Sequence, residues 1–324
     1  MDRRQFLNAS LSVGAAALVS APLYGQSESR PFGDSVPAFR AARRLVSTAF
    51  GRIAYVDEGS GPAALFLHGF PLNSYQWRGA IDRLRSRRRC IAADFLGLGY
   101  TEVVQGQSLA PAAQAAMLVA LLDRLGVGTV DLVASDSGGA VAQLFLAANP
   151  TRVRSLLLTN CDTEPDCPPP ALAPVIELAQ RGLYAEQWLK PWLADKALAR
   201  SPQGLGGLCY TRPGELADET IEGYLAPLVA TPAREALTNG YAVALERNAL
   251  AGLEAVLRRC DIPVSIVWGE ADPIFSLKSP AYLDGLFPRS RGVLRIPEGK
   301  LFFPEEYPDL IAREAASLWK ESSA

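Results

Sequence analysis

The sequence predicts an α/β fold, in which a mostly parallel sheet is flanked by helices. Short apolar runs of strand length alternate with stretches of helical periodicity along most of the 324 residues. The runs are apolar throughout, which is typical of parallel strands covered by helices on both faces. A chain of this length suffices for one large or two ordinary domains.

The elements are expected in a βα order. Segments 44–47 and 52–57 form a strand pair around a turn at Phe50-Gly51. Buried strands follow at 63–67 and 89–93, and a helix over 110–125 ends at Gly126. The later part contains strands and helices in alternation: strand 130–134, helix 139–149 before Pro150, strands 153–158, 263–268 and 293–296, and a closing helix over 310–320.

A long helical insertion interrupts this order. From Asn160 to about Ala251 the pattern is helical and punctuated by prolines, with no clear strand. An insertion of this size within an α/β sheet usually covers a site. We therefore expect a core of residues 41–160 and 251–324, with a helical cap over 161–250 inserted after the sixth strand.

The N-terminus resembles a twin-arginine export signal. Arg3-Arg4 is followed by Gln5-Phe6-Leu7 and an uncharged apolar stretch that is too short for a confident membrane span. We expect a signal over 1–26, a linker over 27–40, and a periplasmic or secreted protein with no stable membrane span after cleavage. The alternatives are an uncleaved anchor and an ordinary basic N-terminus.

The composition of the sequence excludes several classes of binding partner and metal site. The net charge is −2, from 32 basic and 34 acidic residues, which argues against a nucleic-acid partner. The single histidine, His68, excludes multi-histidine metal sites. Five cysteines do not form a disulfide framework; Cys161 and Cys167 are close enough to bridge, but unpaired thiols are favoured. We expect a small-molecule substrate and no cofactor or metal, and nothing favours a particular oligomeric state.

Residues 132–140 mark a sharp turn from a strand to a helix. Such a turn needs small residues two positions before and after its apex, and it directs the apex side chain toward the helix N–H groups. With Asp136 at the apex the small flanks are Ala134 and Gly138. An apex at Ser137 is sterically allowed too. We favour Asp136, because the apolar strand then ends directly before the turn.

Five motifs now show a family resemblance. They are LFLHGFP at 65–71, SYQWR at 74–78, RCIAADFLGLG at 89–99, SDSGG at 135–139 and VWGEADP at 267–273. Together they resemble the α/β-hydrolase fold superfamily, in the branch of haloalkane dehalogenases and epoxide hydrolases. The resemblance covers most of 45–160 and 255–320 but not the insertion. It implies an α/β-hydrolase fold.

The resemblance also implies catalytic roles. Asp136 is the expected nucleophile, which attacks an electrophilic carbon and forms an ester. The backbone N–H groups of Phe70 and Ser137 are the expected oxyanion hole. In this family a histidine, held by an acid at the position of Asp272, activates the water that breaks the ester. Asp162 is a second candidate for that acid.

The sequence departs from the family at this histidine. Aligned on the following Phe and Pro-Glu-Glu, the histidine position is occupied by Leu301. The neighbouring Lys300 is a poor base unless desolvated. His68 lies in the oxyanion loop, where a hydrogen-bonded structural role is favoured. Trp77, in the downstream motif, is a further supporting position.

Two further positions bear on the substrate. Haloalkane dehalogenases often hold the halide with a Trp after the nucleophile and an Asn after His-Gly, and here these positions are Ser137 and Phe70. The His-Gly-Phe-Pro loop looks closer to epoxide hydrolases, which polarise the epoxide with cap tyrosines. Four tyrosines lie in or beside the insertion, although each is more commonly a packing residue: Tyr184, Tyr210, Tyr224 and Tyr241.

These observations predict an exported hydrolase of a small apolar epoxide, ester or alkyl halide. Two alternatives stay open because the histidine is absent. One is a lyase or isomerase that uses Asp136 as a general acid and base. The other is a catalytically degenerate protein that binds a ligand in the same pocket.

Overall fold

A computed structural model describes residues 35–321 of the chain. The expected export signal (1–26) and the first part of the expected linker lie outside the described residues. Within 35–321, no helix combines the length and the apolar character that crossing a bilayer requires.

The described residues contain a mixed sheet of nine strands. The strands are β1 (Arg44–Thr48), β2 (Gly51–Glu58), β3 (Ala63–Leu67), β4 (Arg89–Ala93), β5 (Glu102–Val103), β6 (Val130–Asp136), β7 (Val153–Cys161), β8 (Val264–Gly269) and β9 (Ser290–Ile296). Their order is β1-β2-β4-β3-β6-β7-β8-β9, with β5 paired to β2. All neighbours from β4 to β9 are parallel, and the pairs of β2 are antiparallel. The predicted α/β-hydrolase fold, with its mostly parallel sheet, is confirmed.

Helices flank the sheet and fill the insertion. They are α1 (Val36–Ala42), α2 (Arg78–Leu84), α3 (Pro111–Arg124), α4 (Ser137–Ala148), α5 (Ala173–Gln180), α6 (Lys190–Ala194), α7 (Lys196–Arg200), α8 (Leu205–Cys209), α9 (Asp218–Val229), α10 (Pro232–Ala244), α11 (Glu254–Leu257), α12 (Ser279–Leu286), α13 (Phe303–Glu306) and α14 (Pro308–Glu321). Helices α5 to α11 lie between β7 and β8 in the chain.

Two sequence-based expectations are wrong in detail. The end of the expected linker is helical: the Ser35 side chain accepts a hydrogen bond from the Ala38 amide and caps α1, and the Phe39 side chain is fully buried. The insertion follows the strand predicted over 153–158, as expected, but this strand is the seventh of the chain rather than the sixth. The additional strand is β5, whose two residues are too short to produce a hydrophobic pattern.

The core lies around the central parallel strands. Every residue of β3, β6 and β8 is buried, as expected for strands covered by helices on both faces. The edge strands β1 and β9 are largely exposed or half-buried. Burial therefore increases toward the middle of the sheet, where β6 ends at Asp136.

Candidate active site

The turn between β6 and α4 has its apex at Asp136. Its φ of 57° makes it the single non-glycine residue with a positive φ in the described part of the chain. Such a conformation is costly for a residue with a side chain and is found where a site requires it. Gly138 makes the turn possible, because a β-carbon there would come within 2.6 Å of the Leu67 and His68 carbonyl oxygens. This is the first of the two registers that the sequence allowed.

Two backbone amides converge on the Asp136 carboxylate. The Phe70 N–H donates to Asp136 Oδ1 at 2.9 Å, and the Ser137 N–H donates to the same oxygen. The loop that carries Phe70 is held by Gln76, whose Oε1 accepts from the Gly69 N–H at 2.9 Å. The structure thus brings together the three residues expected to form the nucleophile and the oxyanion hole.

Burial and hydrogen bonds act in opposite directions on Asp136. The residue is 8% exposed, and its burial raises the pKa of the carboxyl above its ordinary value. The hydrogen bonds from the Phe70 and Ser137 amides lower this pKa in part. The amides therefore favour the charged form of a carboxylate that has otherwise lost its water.

A cavity of about 320 Å³ opens above Asp136. Its wall is mostly apolar and comes from both the sheet side and the helical insertion. The insertion contributes Leu172, Val175, Tyr184, Trp188, Trp192, Leu205, Leu208 and Cys209. A cavity at the small end of the range for ligand sites, with few polar groups, suits a small apolar molecule.

Asp272 is held beside this cavity by Asn160. Asp272 Oδ2 accepts from the Asn160 side-chain amide at 2.7 Å, and Oδ1 accepts from the Ile274 N–H at 2.8 Å. Burial raises the pKa of the Asp272 carboxyl to about 6, and the Asn160 hydrogen bond counteracts part of this effect. Leu301 lines the cavity and is 2% exposed, so the expected position of the histidine is apolar.

Three expected supporting residues have other contacts. His68 Nε2 accepts a hydrogen bond from the Phe95 N–H at 3.0 Å, and its Nδ1 contacts the Gly69 carbonyl at 2.9 Å. Both ring nitrogens are therefore bonded to backbone groups. Burial lowers the pKa of His68, which keeps the ring neutral. Lys300 Nζ donates to the Gly207 carbonyl at 2.5 Å. Trp77 is fully buried against Phe66. None of the three lines the cavity.

Asp162 lines the cavity together with Asp136. It directly follows β7, the strand that pairs with β6, and it is 6% exposed. Burial raises the pKa of Asp162 well above its ordinary value, the negative charge of Asp136 adds to the rise, and a hydrogen bond with the Cys167 thiol lowers it in part. The structure thus places a second carboxyl at the site.

The four tyrosines of the insertion divide into two pairs. Tyr184 lines the cavity, and the Tyr241 hydroxyl lies 3.2 Å from the Ser137 hydroxyl, beside the apex of the turn. The Tyr210 and Tyr224 hydroxyls instead donate to one oxygen of a carboxylate in α13, at 2.7 and 2.9 Å. Tyr184 therefore lies at the cavity and Tyr241 contacts the turn beside it, whereas Tyr210 and Tyr224 have a structural role.

Sequence reasoning missed two contributors. In the sequence, nothing distinguishes Asn160 from other residues at the end of a strand. In the structure its side-chain amide donates to Asp272 and to the Gly269 carbonyl, the latter at 2.9 Å, and so positions Asp272. The Glu305 carboxylate accepts hydrogen bonds from the Tyr210 and Tyr224 hydroxyls and forms an ion pair with Arg78 at 2.5 Å. The Pro-Glu-Glu and Tyr-x-Trp-Arg motifs were the available signal, since each contributes one partner of this ion pair.

All five cysteines are free thiols. Burial raises the pKa of the Cys161 and Cys209 thiols well above the ordinary value, which keeps them protonated. Cys209 lines the cavity. In this environment it is a small apolar wall residue and a poor nucleophile.

Comparisons with known proteins identify the family of the chain. A family model described as the alpha/beta hydrolase fold matches residues 62–307, about three-quarters of the chain. Over 117 residues the chain is 36% identical to Haloalkane dehalogenase 2 of Mycobacterium tuberculosis, covering 36% of this chain and 41% of that protein. Over 101 residues it is 44% identical to Epoxide hydrolase 2 of Siraitia grosvenorii, covering 31% of this chain and 32% of that protein.

The similarity to solved structures extends further along the chain. An α/β-hydrolase-fold protein from Burkholderia ambifaria is similar with a TM-score of 0.73 and 24% identity, over 85% of this chain and 97% of that chain. The two curated relatives, by contrast, are matched over about two-fifths of their length or less. The matches therefore establish the fold and the family, and the activity is inferred from the site.

Proposed function

The chain belongs to the α/β-hydrolase fold family, in the branch of haloalkane dehalogenases and epoxide hydrolases, and on this premise we propose that it hydrolyses small apolar epoxides through an ester on Asp136. The observation that carries the proposal is the pair of Phe70 and Ser137 amides on Asp136 Oδ1. The same two N–H groups would hold the ester carbonyl oxygen and stabilise the oxyanion that forms when water adds to it.

The reaction has two stages. With Oδ1 held by the amides, Asp136 Oδ2 attacks a ring carbon, the carbon–oxygen bond of the epoxide breaks, and the ring oxygen takes a proton. Water then adds to the Asp136 carboxyl carbon, and collapse of the tetrahedral intermediate releases the diol and restores the carboxylate. The burial of Asp136 favours the first stage, because a poorly hydrated carboxylate is a stronger nucleophile.

The tyrosines and the cavity favour an epoxide over an alkyl halide. Tyr184 presents a phenol to the cavity, and its raised pKa keeps the hydroxyl protonated and able to donate a hydrogen bond to the ring oxygen. The positions next to the nucleophile and the oxyanion loop are Ser137 and Phe70, and neither side chain resembles the indole or amide donors that hold a halide. The apolar wall and the volume of about 320 Å³ favour a substrate with few polar groups.

A panel of apolar substrates tests this proposal. Purified protein is given short-chain and phenyl-substituted epoxides, the matching 1-chloroalkanes and the matching acetate esters, and product is measured by gas chromatography. We expect diol from at least one epoxide, and no diol above background from D136N. No turnover of any epoxide by the wild-type protein, or equal diol formation by D136N, would refute the proposal.

The apolar Leu301 at the family's histidine position supports one alternative. A lyase or isomerase needs no activated water, so Asp136 would serve as its acid and base. Oxygen from labelled water in the product separates the two mechanisms, because only hydrolysis incorporates it.

We also propose that the protein is exported by a twin-arginine signal. The support is the Arg3-Arg4-x-Phe-Leu pattern before an apolar stretch, which lies outside the described residues. In cell fractions the wild-type chain is expected in the exported fraction, and an R3K/R4K variant in the cytoplasm. Export of the variant at the wild-type level would contradict this.

A further inference from the structure

Two buried carboxyls, those of Asp136 and Asp162, face one cavity. Asp136, at the end of β6, pairs with Cys161, at the end of β7. Asp162 directly follows Cys161 and therefore lies at the same edge of the sheet. Both aspartates line the cavity, and both are less than a tenth exposed. Among the described residues, no Lys or Arg forms an ion pair with either carboxyl, and the largest influences on the pKa of each are burial, hydrogen bonds and other acidic groups.

Two such carboxyls are expected to carry one negative charge rather than two, because two like charges destabilise each other in an apolar cavity. The Phe70 and Ser137 amides donate to Asp136, so the negative charge resides there. Burial and this charge raise the pKa of Asp162 well above its ordinary value, so the proton resides on Asp162. The neutral Cys167 thiol donates a hydrogen bond to Asp162 that partly offsets this increase in pKa.

The other groups that face Asp162 leave the negative charge on Asp136 and the proton on Asp162. Asp166, four residues along the chain, is also a carboxyl and raises the pKa of Asp162 further. Tyr241 approaches from α10, and its raised pKa keeps its hydroxyl neutral. Cys161, the preceding residue, is a protonated thiol. A neutral carboxylic acid therefore stands beside a carboxylate nucleophile.

We propose that Asp162 is the acid and then the base of the reaction, in place of an imidazole. The proposal rests on the proposed function, in which Asp136 forms an ester. In the first stage the Asp162 carboxyl gives its proton to the ring oxygen as the carbon–oxygen bond breaks. In the second stage the Asp162 carboxylate takes a proton from water as its oxygen adds to the Asp136 carboxyl carbon.

The protons balance over the cycle. Collapse of the tetrahedral intermediate leaves a protonated Asp136 and the alkoxide of the diol, and this proton passes from Asp136 to the alkoxide. Asp162 retains the proton it took from water, so both carboxyls return to their starting states. The exchange of roles has an electrostatic cause: esterification removes the negative charge of Asp136, and with it the repulsion that kept the Asp162 carboxyl protonated.

The D162N variant tests this inference with a substrate that the wild-type protein turns over. An amide cannot take a proton from water, so kcat is expected to fall by about 10²–10⁴-fold. The Tyr184 hydroxyl still polarises the epoxide, so the first stage slows less and the ester accumulates. Intact-mass spectrometry should then show one substrate mass added to D162N and no addition to D136N/D162N.

D195N is the control. Asp195 is an aspartate of the insertion, but it accepts from the Ala197 and Leu198 N–H groups at 2.9 and 3.0 Å and does not line the cavity. D195N is expected to keep kcat within about threefold of wild type, because asparagine caps a helix as well as aspartate does. A D162N protein that retains more than half of the wild-type kcat and forms no adduct overturns the inference, while Asp136-dependent diol formation leaves the proposed function standing.

The pH profile of the wild-type protein gives a second test that needs no variant. The rate of the first stage should rise as Asp136 ionises and fall at higher pH as Asp162 loses its proton, which gives a bell shape. A first-stage rate that shows no fall on the alkaline side, up to the pH at which the protein unfolds, would overturn the inference even if D162N failed to fold.

Discussion

Leu301 occupies the position at which the family resemblance of the sequence predicts a water-activating histidine. Its loop is held to the turn that carries Asp272, because the Ala271 N–H donates to the Gly299 carbonyl at 3.0 Å and the Glu270 N–H to the Ile296 carbonyl at 2.9 Å. A side chain at 301 therefore projects into the cavity from a fixed backbone, close to a carboxylate able to orient it.

The L301H substitution introduces an imidazole at this fixed position. In the D162N background we expect it to restore ester hydrolysis by about 10²-fold, because the imidazole supplies the missing base. Burying a polar ring in an apolar wall should cost about 1–3 kcal/mol of stability. The decay of the mass adduct measures the rescue, and L301N is the control. Equal decay rates in D162N and D162N/L301H would contradict the prediction.

Asp272 makes the stability of the fold depend on pH. Burial raises the pKa of its carboxyl to about 6 from an ordinary value of 3.8, so the folded state binds the proton more tightly than the unfolded state. Its contribution to the free energy of unfolding is present below pH 4 and is lost as the pH rises through 6. Urea unfolding of wild type and D272N at pH 4 and 7 measures this.

The difference in unfolding free energy between D272N and wild type should shift by about 2–3 kcal/mol between these two pH values, in favour of D272N at pH 7. The asparagine carries no charge and does not titrate. A difference that is the same at pH 4 and pH 7 would show that Asp272 titrates alike in the folded and unfolded states.

At the scale of elements, α13 joins the helical insertion to the sheet. Glu305 binds Arg78 at 2.5 Å and accepts from Tyr210 and Tyr224 of the insertion. The next residue, Glu306, accepts from two backbone amides of the insertion at 2.8 Å. This cluster holds α9 and the end of α8, which lines the cavity, and it turns the hydroxyls of Tyr210 and Tyr224 toward Glu305 rather than toward the cavity.

Removing the Glu305 carboxylate should destabilise the protein strongly. E305A leaves the guanidinium of Arg78 without its charged partner and two buried hydroxyls without an acceptor, at a cost of about 3–5 kcal/mol. The control is E102A, which breaks the exposed pair with Arg52 and should cost at most about 1 kcal/mol. Urea unfolding compares the two, and similar losses in both variants would contradict the role given to Glu305.

The elements were largely predictable, and the orientation of their side chains was not. Continuous apolar runs identify the central strands, because burial on both faces leaves no polar position to obscure them. Which tyrosines face the cavity depends on how each helix of the insertion is rotated against the sheet, and short helices carry too few periodic positions to determine this. The role of Asn160 depends on the turn after β8, more than a hundred residues away in sequence.

At the scale of the whole molecule, the sheet assembles the site at one edge. The parallel strands β6, β7 and β8 all end there, so Asp136, Asp162 and Asp272 come together although the chain separates them. Motif positions predicted which loops meet at this edge. The burial of two carboxyls in one cavity was not predictable, since it depends on how the insertion packs against the sheet.

The central claim is the ester on Asp136, and a single turnover in ¹⁸O-labelled water tests it most directly. The wild-type protein, in excess over an epoxide that it converts, is digested after one turnover, and the peptide that contains Asp136 is weighed. If water attacks the ester carbonyl, the label enters the Asp136 carboxyl and the first diol carries unlabelled oxygen. Label in the first diol, with none in the Asp136 peptide, would contradict the account.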